Sequence, residues 1–284
     1  MAKSIFGLQL SNDTVELFRA WGSELSAQIG TILTRVPQTN DIDWVTVNLP
    51  SSGSYGGSEV YRFNDTLQAT APIFIRLDYG SQGSVNPKIA ATIGKSVNGS
   101  GVVGGVLRTS TIISGGTAAS SVENCYIFGD GSTFVMSLAP SSTSRGGYFL
   151  IERSVNSGGT PTGDALLIGY QDVATATPTH LFIDYVNATT ETVVGGIIAM
   201  PLPLSTDRSI ANGTTTPVFP AACISPGGVF WRPRAILGTA RQNAGLGEII
   251  NGLLDGNGYL SLGAGSQQSD QRNSTYATTM IRWV

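Results

Sequence analysis

The sequence predicts a mainly β protein: an antiparallel β-sandwich, jelly-roll-like, with one amphipathic helix near its N-terminus. Three observations lead there. Charged residues make up only 12% of the 284-residue chain, against ~25% in an ordinary soluble domain. Thirty-six residues are glycine, where average composition would place about 20. From residue 42 onward, short apolar runs are separated by Gly, Ser, Asn and Pro. Helical bundles need Glu, Lys and Arg on their outer faces, so this balance favours sheets and turns. A chain of this length can bury about three quarters of its unfolded surface, so core size is not limiting.

The helix comes first. In residues 13–32, DTVELFRAWGSELSAQIGTI, the side chains of Leu17, Phe18, Trp21, Leu25, Ile29 and Ile32 fall on one stripe at 3.6 spacing. Asp13 is the expected N-cap, with Glu16 three residues on as in a capping box. Gly22 weakens the middle by about 1 kcal/mol relative to Ala. The stripe must bury Phe18 and Trp21 against the chain's own sheet or against a neighbouring subunit. Strands are expected near 43–48, 59–63, 72–79, 87–94, 101–114, 123–128, 132–138, 147–153, 164–170, 180–186, 192–200, 217–224, 229–238, 257–263 and 275–283. Ile73, Ile75, Leu77 and Tyr79 alternate with period two, as do Leu181, Ile183 and Tyr185. Gly129-Asp130-Gly131-Ser132 and Asp255-Gly256-Asn257-Gly258 read as tight hairpins. A second helical piece is expected near 240–253, weakened by its glycines. Residues 1–40 read as an N-terminal helical arm and 41–284 as the sandwich. The polar interval 202–217 marks a boundary, a surface loop or an arm. The C-terminal strand carrying Trp283 is expected to be tied into a sheet.

Composition also bounds function. The chain has 13 Arg and three Lys. Interface cores are enriched in Arg and depleted in Lys, so this bias fits a surface covered by neighbours; a GC-rich genome would produce it too. Net charge is −3 and no basic block exists, which argues against nucleic acid as a partner. No apolar stretch is long enough to span a membrane, and the first ten residues are no secretory leader. Cys125 and Cys223 are far apart, without metal-binding spacing, and read as reduced and buried or as a pair. The six N-x-S/T matches, at Asn12, Asn64, Asn98, Asn187, Asn212 and Asn273, follow from an Asn- and Thr-rich composition.

Each motif that carries chemistry has a plainer reading. Gly94-Lys95-Ser96 matches the end of a phosphate-binding loop, but Ile89 stands where the pattern needs Gly, and no helix can open at Val97-Asn98-Gly99. A strand followed by a turn is expected there. His180 is the only histidine, so a histidine-rich zinc site is impossible and a Ser–His–Asp triad would have to use it. It reads as a strand-edge residue. Glu152, Asp164, Asp172 and Asp184 could supply a glycosidase pair, but their spacing singles out none of them. Asp130 and Asp255 resemble fragments of calcium loops and are accounted for by turn chemistry. Trp21, Trp44, Trp231 and Trp283 read as core rather than as a carbohydrate platform. No catalytic residue, metal or cofactor is expected.

Three segments carry a resemblance. FRAWGSELSAQIG (18–30), IDWVTV (42–47) and YRFNDTLQATAPIFIRLDYGS (61–81) occur in that order. Together they resemble a family of tailed-bacteriophage virion structural proteins, whose members have an F-R-x-W-G helix, an I-[DN]-W-x-[ST]-V strand and a W-R-F-x-D-x-L-Q-A-T-A-P segment. Here Tyr61 stands at the position of the last motif's first aromatic. The resemblance is specific over residues 11–115 and looser beyond. It implies a non-enzymatic part of a virion, on the tail side (neck, collar, baseplate or fibre base), working as a homo-oligomer that docks to other virion proteins. A capsid decoration protein is a second structural option, and a tail protein that binds or cleaves host-surface glycan is the competing class. The residues expected to make contacts are Phe18, Arg19, Trp21, Leu25, Arg62 and Arg76.

Overall fold

The computed structural model describes residues 2–113 except Ser84, then 122–138, 147–156, 160–171, 180–184 and 191–193. Beyond these it describes 215–216, 218–220, 223–224, 230–231, 235–239, 249–252, 257–261 and 278–283. The chain divides into two compact units, Met1–Val193 and Val194–Val284.

Among its described residues the first unit contains one α-helix, α1 (Val15–Gly30), and twelve strands. The strands are β1 (Ala2–Leu8), β2 (Thr34–Arg35), β3 (Tyr55–Arg62), β4 (Phe74–Gln82), β5 (Asn86–Val97), β6 (Val103–Ile113), β7 (Glu123–Asp130), β8 (Thr133–Leu138), β9 (Gly147–Val155), β10 (Pro161–Gln171), β11 (His180–Asp184) and β12 (Glu191–Val193). They form a five-stranded sheet, β2-β3-β4-β5-β6, and a seven-stranded sheet, β1-β7-β8-β9-β10-β11-β12. Every pairing in both sheets is antiparallel. Sequence neighbours are sheet neighbours, so each sheet is a meander. The exception is β1, which pairs with β7 from Ala2↔Gly129 to Leu8↔Glu123.

Period-two alternation decides which residues face inward. Ile75, Leu77 and Tyr79 of β4 and Ile89, Ala91 and Ile93 of β5 join one buried cluster with Cys125 and Ile127 of β7, Phe134, Met136 and Leu138 of β8, Phe149 and Ile151 of β9, and Ala165 and Leu167 of β10. The inward rows of both sheets thus share one core. Burial of each large apolar side chain there is worth about 1.5–3 kcal/mol.

The helical stripe belongs to the same core: Phe18, Trp21, Leu25 and Ile29 are buried. Residues 1–40 are therefore not an arm outside a sandwich that begins at residue 41. The N-cap is Thr14, whose Oγ1 accepts from Leu17 N at 3.3 Å; Asp13 lies one residue too early, and no capping box forms. The expected strand at 43–48 is a turn instead. Asp43 O accepts from Val47 N, and the Asp43 carboxylate accepts from Val45 N and Thr46 Oγ1. The turn places Trp44 and Val47, three residues apart, against the core. The strand β1 was not expected from the sequence, although Ala2, Phe6 and Leu8 face the core from it.

The second unit holds β13 (Thr215–Thr216), β14 (Val218–Pro220), β15 (Cys223–Ile224), β16 (Phe230–Trp231), β17 (Ile236–Thr239), β18 (Ile249–Gly252), β19 (Gly258–Ser261) and β20 (Thr278–Arg282). Their main sheet has the order β13-β18-β19-β20-β17-β14, and β15 pairs with β16. Residues 249–252, expected to be helical, are strand; the rest of that segment, and 202–214 of the polar interval, lie outside the described residues. The terminal strand is tied in as expected: β20 pairs with both β17 and β19, and Trp283 N donates to Gly258 O at 2.9 Å.

Candidate functional site

The three segments that carry the resemblance fold against one another. Phe18 and Trp21 project from successive turns of α1, with ring centroids 5.5 Å apart. Trp44 meets Phe18 at 5.5 Å and Tyr79 at 5.0 Å, both edge to face. Gly22 makes this possible. A Cβ there would lie 2.1 Å from the Trp44 ring, so the glycine that weakens the helix is the recess that receives the indole. Arg19 Nε donates to Val47 O at 2.8 Å, fastening the helix to the turn that carries Trp44. Trp21 Nε1 donates to Asn12 Oδ1 at 2.9 Å, and Asn12 Nδ2 donates to Gly80 O at 3.0 Å. Asn12, one of the N-x-T matches, is fully buried in this bridge.

Beneath the aromatics lies Glu59, a wholly buried carboxylate in β3. Its Oε1 accepts from Ser26 Oγ (2.8 Å) and Trp44 Nε1 (3.3 Å), and lies 3.0 Å from Arg35 Nη2. Its Oε2 accepts from the hydroxyls of Tyr61 (2.7 Å) and Tyr79 (3.0 Å). Burial, with the adjoining Glu59 charge, pushes both phenols well above the ordinary tyrosine value, so both stay protonated as donors. A carboxylate has about four lone-pair sites. Glu59 has donors for all of them. It joins α1, the 43–47 turn, β2, β3 and β4.

The second polar cluster centres on Arg153 of β9, also fully buried. Its Nε donates to Asp65, its Nη1 to Ala71 O (2.8 Å) and its Nη2 to Gln68 Oε1 (3.3 Å). Its guanidinium lies 5.7 Å from the Phe63 ring centroid. These partners sit in the β3–β4 connection, whose centre is a 3-10 turn at Thr66–Ala69. Asp65, Gln68 and Ala71 belong to the N-D-T-L-Q-A-T-A segment. Arg153 therefore clamps that segment, from the five-stranded sheet, to the middle of the seven-stranded one.

The remaining expected contact residues divide by environment. Arg76 Nε and Nη2 donate to Asp78 Oδ1 at 2.9 and 2.5 Å, and Nη1 donates to Gly101 O at 3.3 Å. Burial raises the Asp78 carboxyl above its ordinary value despite the opposing pull of Arg76. The arginine and aspartate that share a strand face thus form an ion pair tied to the β5–β6 turn. Phe18, Trp21 and Leu25 are buried within the chain itself and present no surface to a neighbour. Arg62, at the end of β3, is exposed.

Among the described residues, the other motifs lie on strands and turns. Gly94, Lys95 and Ser96 lie within β5, and a turn follows. His180 opens β11. Glu152 is buried in β9; the Asp164, Asp172 and Asp184 side chains fall outside the described residues. Asp130 accepts from Ser132 N and Oγ in the β7–β8 hairpin, as turn chemistry requires. Among the described residues no group of His, Cys, Asp and Glu is arranged to hold a metal ion. Glu59 and Arg153 are the residues sequence reasoning missed. Period two places Glu59 on the face of Tyr61 and Arg153 on the face of Ile151, and both lie inward. Compared with known proteins, the chain matches no protein-family model and no curated protein.

Proposed function

We propose that this chain is a non-enzymatic structural component of a tailed-bacteriophage virion, placed on the tail side, that works by symmetric self-assembly and by docking to other virion proteins. One observation carries the reading. The segments of the resemblance, far apart in sequence, interlock as Phe18–Gly22–Trp44–Tyr79 around Glu59 and as Asp65–Gln68–Ala71 around Arg153. Each charged group in them ties one element to another. The motifs are parts of a scaffold, and a scaffold is what a particle component must supply. The Arg-rich, Lys-poor composition supports the same reading, because such residues suit faces covered by neighbours. Of the expected contact residues, Arg62 is the one that is exposed, which supports a contact through it.

The test is particle composition. Quantitative mass spectrometry of purified virions should find the chain at a fixed copy number that matches a ring of the tail or neck. A phage in which its gene is interrupted should assemble heads without complete tails. Absence of the chain from purified particles would overturn the reading.

A further inference from the structure

The other described sheet edges of the first unit are short or covered. β2 has two residues, and the outer side of β3 is lined by Val36 N, which donates to Val60 O (2.8 Å), and by Ile42 N, which donates to Ser58 O (2.9 Å). β6 runs beside β10, and β12 has three residues. β1 is different. It is a seven-residue edge, in unbroken register with β7, with no proline and one charge, Lys3. Protected edges carry bulges, prolines or charges, lysine above all; β1 carries Lys3 and none of the other devices.

The direction of its backbone groups follows from the register. Arg153 N donates to Ser132 O at 2.9 Å, so even-numbered residues at the start of β8 bond to β9 and odd-numbered ones bond to β7. With Val135 opposite Phe128 and Ser137 opposite Tyr126, the even residues of β7 bond to β8. Its odd residues, Cys125, Ile127 and Gly129, therefore bond to Phe6, Ser4 and Ala2. The N–H and C=O groups of Ile5 and Gly7 consequently point away from the sheet. Beside them lies an apolar surface: Ile5 is 50% exposed and Val122 66% exposed. Val122 covers Gly7, where a Cβ would lie 2.5 Å from its Cγ1.

We propose that β1 is a dimerisation edge: β1 of a second copy adds to it antiparallel, about a two-fold axis through Ile5, and joins two seven-stranded sheets into one. The strand is self-complementary in this register. Ile5 faces Ile5 of the second copy, with both backbone groups of each aimed at the other. Lys3 stands opposite Gly7 of the second copy, so no second charge faces it. The two Lys3 residues stand four strand steps apart, about 14 Å, beyond the ~8 Å screening length. This deepens the proposed function by naming the self-contact in the symmetric assembly.

The experiment uses the full chain in solution. Sedimentation equilibrium over a wide concentration range should give a mass rising from one chain to two. Exchange of the Ile5 and Gly7 amides should slow as concentration rises. Ile5→Lys sets two like charges against each other at the axis and should weaken association about tenfold or more. Ile5→Pro removes an outward donor, which an edge strand tolerates, and should do the same with an unchanged melting temperature. A wild-type chain that stays monomeric at every concentration overturns the proposal. So does a folded Ile5→Lys chain that keeps the wild-type mass, or amide exchange that ignores concentration. If Ile5→Lys fails to fold, the wild-type amide exchange decides. Particle composition is a separate readout, so the edge can fail while the virion assignment stands.

Discussion

Glu59 shows how a single residue can anchor several elements. Glu59→Gln puts an NH2 group among donors and leaves Arg35 only the Asp41 carboxylate as counter-charge. The expected loss is about 2–4 kcal/mol, since a buried charge-assisted hydrogen bond is worth about 1.5–3 kcal/mol and an unpaired partner adds its own desolvation cost. Urea denaturation of the variant checks this; a loss below about 0.5 kcal/mol would mean that the carboxylate is not the anchor. Tyr61 and Tyr79 give a second prediction. Folding raises both phenols above their unfolded value, so the native state holds protons that the unfolded state gives up. Their contribution is complete below the unfolded tyrosine pKa of ~10 and is lost as pH rises beyond it. In a spectrophotometric titration, their phenolate absorbance should appear only together with loss of the fold. Tyr79→Phe should remove one phenolate from that step. The residue-level signal was present in the sequence: Glu59 alternates with Tyr61, and Arg153 with Ile151. It was masked by the expectation that a charge on a strand faces water, which holds for most charges and fails where a full set of partners exists.

At the level of elements, α1 and the 43–47 turn are one device. Gly22→Ala would add up to about 1 kcal/mol of helix propensity, but the new methyl would meet Trp44 at 2.1 Å. Trp44 is wedged between Phe18 and Tyr79 and hydrogen-bonded to Glu59, and overpacking of this kind costs about 1–3 kcal/mol. The expected net change is a loss of about 1–2 kcal/mol, read as a lower urea midpoint with a shifted tryptophan emission. A more stable variant would show that the recess tolerates filling. The helix itself was legible from its stripe. The turn was not, because IDWVTV alternates like a strand while Asp43 draws the chain back onto its own side chain and carbonyl. β1 was missed for the opposite reason: Ser4 faces inward and Ile5 outward, so its alternation is broken, and it becomes a strand only because β7 supplies its partner.

For the whole molecule, Arg153 is a link that reaches from one sheet to the loop of the other. Arg153→Met keeps the apolar bulk and leaves Asp65 with an uncompensated charge. Removing one member of a buried pair costs about 3–5 kcal/mol. The variant should melt well below the wild type, and adding Asp65→Asn should recover part of the loss; no recovery would mean that the guanidinium acts through Phe63 and Ala71 alone. The antiparallel β architecture was legible from composition and alternation. The division at Val193–Val194 was not, because no local signal marks it in a chain where glycine and serine punctuate every strand.

The pairing of β1 with β7 also sets a timetable. The end of β1 leaves the ribosome 115 residues before the start of β7, its partner at Leu8↔Glu123. At about 5–20 residues per second this is an interval of roughly 6–23 s. Throughout it the five-stranded sheet can form, while β1 waits for β7.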